Sequence, residues 1–425
     1  MAALGRDRRV TIMAMNVLLP HVKRSTLPDG FLDAPEIGRV SVITEPGHAQ
    51  HYSPDVDVHL VESIHDVERV RRTTMQILGD RDLHRILSPF ELSIPLAGYL
   101  RSYFGLPGLG FETANLFANK YLMKRRAAAA GLPGTAFRLA STLANVPPKA
   151  AELGWPVVIK PVVGGGSLDV VAFDSPDAFE RFCASPAAES IRRLTVPLIV
   201  EEYVQLEAEY HCDGIVHDGE VIFAAPSKYV VPLLGCPAAL NASHALAPDH
   251  PDRAEILDLH ARTVHAFGLR SGVTHMEFLK TADGLLAGEI ACRPGGGGIP
   301  DAIWLQYGVD IWRAFRDTSL GLEPEVRPAQ REGLLVSYLL PIKPGRIARL
   351  STAADLAAVP AVLRVDMYKQ VGDVMRDRIG SSATTGAVFL RVRDEAEVLS
   401  RIQEVADRYV LEIEGEDDAV VAPQA

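Results

Sequence analysis

Two glutamates, Glu277 and Glu289, lie on strands joined by a turn in the stretch GVTHMEFLKTADGLLAGEIACRPGGGG, and Arg293 follows where the second strand ends. Carboxylate oxygens suit hard divalent cations, and magnesium keeps waters and bridges nucleotide phosphates rather than filling an all-protein cage. Two neighbouring carboxylates, a guanidinium and a run of glycines therefore suit magnesium-assisted phosphate chemistry. Asp283-Gly284 separates the apolar runs 273–279 and 285–290, a strong local hairpin signal. Side chains alternate along a strand, so one face carries both glutamates. The ordinary alternative is a surface hairpin with solvated acids, and the upstream sequence argues against it.

Lys160 ends an apolar strand at 155–160 and precedes Gly164, Gly165, Gly166 and Ser167, with another strand at 170–173. Glycines let a backbone approach phosphate oxygens, and a nearby lysine offers a point charge. No G-x-x-x-x-G-K-[ST] pattern is present. A glycine loop between two strands is expected to act as a flap over a triphosphate. Lys120 sits on a helix expected over 112–130, where Lys124, Arg125 and Arg126 read as surface charge. A strand at 198–204 runs into Glu201, Glu202, Tyr203 and Val204. One reading sets backbone groups and one of these glutamates at an adenine edge, with Glu209 accepting from ribose hydroxyls. His275-x-Glu277 lacks a suitably spaced third ligand for zinc. His275 and His244 read either as core histidines or as site residues. The GLPGLG segment follows a helix with the wrong spacing for a dinucleotide fingerprint and is assigned to a loop.

These residues must be positioned by several domains, because 425 residues exceed a single core. Strand signals at 10–15, 40–44, 57–61 and 85–88 alternate with helices at 64–78 and 90–104, which implies an open parallel sheet. Ser175-Pro176 opens a helix, strands follow at 209–216 and 220–225, and a helix spans 251–267. Beyond about 325, strands at 334–340, 363–369 and 386–392 and a helix at 394–409 suggest an antiparallel module. Hydrophobic content of 48% with 23% charged residues is ordinary for a soluble protein. A net charge of −11 disfavours nucleic acid or an anionic membrane but leaves a nucleotide open. Cys183, Cys212, Cys236 and Cys292 show no C-x-x-C spacing and read as reduced thiols of a cytoplasmic protein. Arg8-Arg9 and the apolar run after it lack a cleavage site, and no run reaches transmembrane length.

Taken in order, NKYLMKRRAAAAGLPG, GWPVVIKPVVGGGS, VEEYVQLEAEYHCDG and HMEF…GEIACRPGGGG resemble the ATP-grasp superfamily, specifically its carboxylate–amine ligases. The resemblance covers roughly residues 80–325. The C-terminal module is similar to the extra domain of bacterial L-amino-acid ligases, relatives of alanine–anticapsin ligase and carnosine synthase. The resemblance implies a mixed α/β and α+β chain. An N-terminal open parallel-sheet (Rossmann-like) domain would span 1–110, an ATP-grasp small or lid subdomain 111–195, and a large subdomain 196–325. A C-terminal ligase-type extension associated with the large subdomain would span 326–425.

The resemblance further implies that ATP lies between two subdomains, with Lys120 and Lys160 on its phosphates and Gly165, Gly166 and Ser167 closing over them. Glu201 or Glu202, with the backbone through Tyr203 and Val204, would meet adenine, and Glu209 the ribose. Glu277 and Glu289 would hold two magnesium ions (manganese can substitute), Arg293 would face the carboxyl substrate, and His244 or His275 the amine side. Many superfamily members carry asparagine two residues after the second glutamate. Ala291 stands there, as a small residue often does in amino-acid ligases. The expected reaction activates an amino-acid carboxylate as an acyl phosphate and couples it to an amine, giving a dipeptide or related amide. An ATP-grasp ligase or carboxylase using another carboxylate or nucleophile is the alternative. A nucleotide-binding regulator without turnover would not need both glutamates, the arginine and both lysines. The implied partners are small molecules, and the implied setting is the bacterial cytoplasm and a specialised peptide or antibiotic pathway. Relatives are often dimers, which admits a homodimer. Selectivity is expected from the loops 228–242 and 299–307.

Overall fold

In the computed structural model, residues 14–21, 27–54, 56–234, 240–375, 380–381 and 383–415 are described. Strand β1 (Met15–Pro20) is apolar and buried at Val17, Leu18 and Leu19, as an interior parallel strand covered on both faces requires. It lies between β2 (Ile37–Thr44) and the short β4 (Arg85–Ile86), with β3 (Asp57–Leu60) at the edge beyond β2, all pairs parallel. The first strand thus begins at Met15, later than the expected 10–15, of which 10–13 lie outside the described residues. Helix α1 (Val67–Asp80) starts where the Asp66 side chain accepts from the Arg69 amide at 2.9 Å. Helix α2 (Ile94–Phe104) stops at Gly105, whose φ of 67° is the left-handed cap that glycine adopts without strain.

The single helix expected over 112–130 is two: α3 (Phe111–Leu116) and α4 (Lys120–Ala129). Asn119 breaks it by accepting from the Tyr121 and Leu122 amides at 3.1 and 3.2 Å, satisfying donors that a helix start leaves open. The Lys120 amide instead donates to the Val162 carbonyl at 2.7 Å, which ties α4 to the next sheet. That sheet is antiparallel, ordered β5 (Phe137–Ala140), β8 (Leu198–Glu202), β6 (Val157–Pro161), β7 (Val171–Phe173). Val157 and Ile159 of β6 and Leu198 and Val200 of β8 pack with residues of α5 (Val146–Leu153), α6 (Pro176–Ala184) and α7 (Glu189–Arg192). Alternation then turns Lys160 and Glu201 to the opposite face.

The largest sheet has eight strands. It contains β9 (Ala208–His217), β10 (Glu220–Tyr229), β11 (Ala242–Ala245), β12 (Gly272–Thr281), β13 (Gly284–Ala291) and β14 (Leu334–Leu339). After β15 (Gly345–Leu350) come β16 (Val362–Met367), the short β17 (Val374–Met375), β18 (Gly386–Val392) and β19 (Leu411–Ile413). The order β13-β12-β9-β10-β11-β14-β18-β16 runs unbroken across position 325, because β11 pairs with β14. Strands β17, β15 and β19 form a small separate sheet. Helix α8 (Arg253–Phe267) packs Ile256, Leu259, Val264 and Phe267 on one face of the large sheet. Helices α9 (Ile299–Tyr307) and α10 (Ile311–Leu320) pack with Val17, Leu19 and Val42 of the first sheet. No helix among the described residues is long and apolar enough to cross a membrane.

Candidate active site

The expected hairpin forms between β12 and β13, but its turn is Ala282-Asp283 rather than Asp283-Gly284, because Gly284 pairs with Thr281, and one strand is irregular. Met276 pairs with Ile290 and Phe278 with Ala287, so Gly288 and Glu289 together oppose Glu277 in a β-bulge. Gly288 makes this possible, since a Cβ there would lie 2.8 Å from the Glu277 carbonyl oxygen. The bulge aims Glu289 at two ammonium groups. Its Oε2 lies 2.8 Å from Lys120 Nζ and its Oε1 2.7 Å from Lys160 Nζ. Lys120 Nζ also donates to the Gly164 carbonyl at 2.8 Å, which joins α4, the glycine loop and β13 at one atom. Gly166 (φ 67°) in that loop adopts a backbone that favours glycine.

Behind this pair sits a second ion group. Glu201 Oε1 is 2.8 Å from Lys160 Nζ, and its Oε2 is 2.9 Å from Lys124 Nζ and accepts from the Thr135 hydroxyl at 2.7 Å. Lys124 is buried, which corrects its reading as surface charge; it lies one turn beyond Lys120, on the same helix face. Lysines and a threonine take the Glu201 carboxylate. Glu202 Oε1 accepts from the Ala136 amide at 2.6 Å. Burial alone would raise Glu201, but Lys124 and Lys160 outweigh it and hold the carboxyl at about 2. Burial likewise opposes charge on Glu289, yet Lys120 and Lys160 keep it well below the usual carboxylate range. Three ammonium groups against two carboxylates leave net positive charge at this end of the cleft.

Removing one partner of such a buried group strands the others. Glu201→Gln is expected to destabilise the fold by about 3–5 kcal/mol, read as a lower denaturation midpoint. The Glu201 carboxyl sits below its ordinary 4.5, so its contribution is full above that pH and fades as pH falls toward about 2. Denaturation curves between pH 6 and pH 3 should therefore converge for wild type and variant. Parallel curves would show that the carboxylate does not hold the lysines together.

At the other end, Arg293 Nε donates to Glu91 Oε2 at 3.0 Å, and Arg293 Nη1 donates to the Pro294 carbonyl at 2.8 Å. Glu91 precedes α2 and is 202 positions away in the chain, so no local sequence signal points to it. His275 lies on the same face of β12 as Glu277 and opposite Asp213 on β9. Its Nδ1 is 2.9 Å from Asp213 Oδ1, and its Nε2 is 3.8 Å from Glu277 Oε1. Burial alone would lower the imidazole; Asp213 outweighs it and raises His275 to about 9. His211 and Asp213 were legible only as alternate residues of the strand that carries Glu209. His244 does not join them. It is buried on β11 with Nδ1 against the Ala245 carbonyl and Nε2 3.8 Å from Glu395, because its register beside Lys228 turns it toward the C-terminal segment.

Lys120, Lys160, Gly164, Gly165, Gly166, Ser167, Glu201, Glu202, Tyr203, Val204, Glu209, His275, Glu277, Glu289 and Arg293 line one cleft of about 520 Å³, within the range of small-molecule sites. Glu209 Oε2 accepts from the Leu233 amide at 2.7 Å. Burial first, then the charges of Glu277 and Glu289, push its carboxyl up to about 8. Glu277 and Glu289, set opposite each other by the bulge, offer hard oxygen donors of the kind a divalent cation takes.

Residues 337–414 match the family described as L-amino acid ligase C-terminal domain 2. The chain is 32% identical over 377 residues to an L-arginine-specific L-amino acid ligase of Bacillus subtilis, covering 88% of this chain and 91% of the relative. Its fold is similar to the crystal structure of an L-amino acid ligase from Bacillus licheniformis, with a TM-score of 0.74 at 18% identity over 94% of this chain and 98% of that one. The biotin carboxylase domain of a Hydrogenobacter thermophilus 2-oxoglutarate carboxylase, solved with MgADP and bicarbonate, gives a TM-score of 0.67 at 16% identity over 93% and 90%.

Proposed function

The chain belongs to the L-amino acid ligase family of ATP-grasp enzymes, and from that premise we propose how its cleft divides the work of joining an amino-acid carboxylate to an amine. The enzyme is an ATP-dependent carbon–nitrogen ligase that forms dipeptides. The substrate carboxylate attacks the γ-phosphorus of ATP, releasing ADP and leaving an acyl phosphate. The amine of a second substrate then attacks the acyl carbon and phosphate departs.

The observation that carries this reading is the sharing of Glu289 between Lys120 and Lys160 in the cleft that also holds Glu277 and Arg293. The two ammonium groups bind the ATP phosphates and balance charge during phosphoryl transfer. The glycine loop covers them and excludes water, which protects the acyl phosphate from hydrolysis. The backbone around Val204 meets the adenine, and Glu209 accepts from the ribose. Arg293 neutralises the acyl phosphate and the oxyanion of the tetrahedral intermediate. Glu277 and Glu289 would hold two magnesium ions, which supply positive charge to the reacting phosphate oxygens. The enzyme acts in the cytoplasm, in keeping with unpaired Cys183, Cys212 and Cys292.

A pairwise screen of amino acids for ADP, with product masses recorded and L-arginine tried first as donor, tests the assignment. ADP and a dehydrated adduct are expected only when donor and amine are both present. ADP release indifferent to the amine overturns the ligase reading. Lys160→Ala is expected to raise the ATP concentration for half-maximal rate at least about tenfold. Initial rates across ATP concentrations check this, and an unchanged requirement removes Lys160 from the nucleotide.

A further inference from the structure

Next to the cleft, three buried polar side chains make a connected group that the reaction scheme above leaves without a task. Asp213 accepts from two imidazoles: His211 Nδ1 lies 2.7 Å from its Oδ2, and His275 Nδ1 lies 2.9 Å from its Oδ1. All three residues are buried. The strand register explains the arrangement. Across β9 and β12, Asp213 faces His275 while His211 faces Glu277, so the four side chains form a square on one face of the sheet. Asp213 Oδ1 also abuts the glycine run after Arg293, since a Cβ on Gly295 would approach it to 2.8 Å.

We propose that Asp213 is a positioning residue for ligation, holding both rings by their Nδ1–H groups so that His275 presents Nε2 to Glu277 at the cleft wall. The proposal rests on the ligase reading only for its kinetic arm. A carboxylate is purely an acceptor, so both Nδ1 atoms must carry hydrogen, which fixes each ring's orientation and leaves Nε2 facing away from Asp213. His275 lines the cleft, and its Nε2 is 3.8 Å from Glu277 Oε1. His211 Nε2 is buried with no hydrogen-bond partner among the described residues, so the His211 ring serves as a brace. Burial opposes charge on Asp213, but His275 and His211 together keep it below the ordinary aspartate range. The ligand atoms of the three residues lie within 4.8 Å of one another, but hydrogen bonds to both imidazoles already occupy the carboxylate. The role is thus one of support for Glu277, as groups behind metal-binding carboxylates commonly provide.

Asp213→Asn is the test, because an amide can accept an Nδ1–H from only one ring, so the other must move its proton or turn away. Histidine-labelled protein should show hydrogen on Nδ1 of both rings by side-chain nitrogen NMR, whichever state Nε2 takes, with at least one ring changed in the variant. The variant should bind a non-hydrolysable ATP analogue within about threefold of wild type and lose about 10–10²-fold in kcat. His275→Gln should lose a similar factor, and the double variant no more than either alone. Unchanged ring signals, wild-type kcat, a multiplicative loss in the double variant, or a stoichiometric transition metal held by wild type and lost from the variant overturns the proposal. So does a loss of kcat matched by equal losses of analogue affinity and thermal stability. Should Asp213→Asn fail to fold, the ring forms of wild type and the kinetics of His211→Gln and His275→Gln decide the same question. A wild type that ligates no amino-acid pair defeats the ligase reading, while the ring forms and analogue binding still decide the positioning role.

Discussion

Replacing Glu289 with alanine is expected to lower ADP formation by at least about 10³-fold, the largest loss from any single position in the cleft. The argument is geometric. Among the described residues Glu289 is the one carboxylate that touches both Lys120 and Lys160, and the β-bulge at Gly288 brings it opposite Glu277. Its removal takes away a proposed magnesium donor and releases both ammonium groups that must meet the phosphates. The fold should survive, because Lys160 keeps Glu201 and Lys120 keeps the Gly164 carbonyl. Steady-state rates at saturating ATP and rising magnesium, with a thermal melt alongside, provide the check. Near wild-type turnover at any magnesium concentration would take Glu289 out of the chemistry.

Arg293→Ala is expected to cost about 10²–10³-fold in kcat, the usual effect of deleting one preorganised charge donor. The guanidinium is held by Glu91, which also comes close to Gly165, where a Cβ would lie 3.2 Å from Glu91 Oε2. The segment leading into α2 thus braces the arginine and backs the glycine loop through one side chain. Burial disfavours charge on Arg293, yet Glu91 outweighs it and keeps the guanidinium firmly protonated, so no loss of its charge is expected in the working pH range. Arg293→Lys should recover only part of the activity, since a point charge cannot reproduce the planar fork. Single-turnover measurement of acyl-phosphate formation and amide formation separates the two steps. Equal rates in wild type and alanine variant at both steps would exclude Arg293 from either.

How much of this was legible in the sequence depended on range. The hairpin itself was legible, since it is a local object, but its turn is Ala282-Asp283, and the regular register from Thr281 and Gly284 would set Glu277 opposite Gly288, so alternation alone does not bring Glu277 and Glu289 together. The bulge that aims Glu289 was signalled only by Gly288, an isolated glycine inside a strand pattern. Lys160 was legible because β6 alternates core and cleft residues. Lys124 was misread because a lysine among arginines on a helix is ordinarily solvated, although its spacing from Lys120 allowed the burial seen. The helix over 112–130 was misread for want of weight on Asn119, a good cap in an otherwise helical stretch. Which of Glu201 and Glu202 faces the lysines stayed open in the sequence, because a strand end leaves side-chain direction unset until the neighbouring strands are known. Glu91 and the turn of His244 toward Glu395 depend on contacts between distant segments, which no local pattern encodes.

The pairing of β11 with β14 makes the last hundred residues something other than a detachable appendage. A chain cut after position 325 would bare a row of amide and carbonyl groups along β11, two strands from β9, which carries Glu209. Such a raw margin recruits other chains. Shortened versions made to find a minimal catalyst should therefore clump before they can be assayed, and engineering is better directed at loops than at the tail.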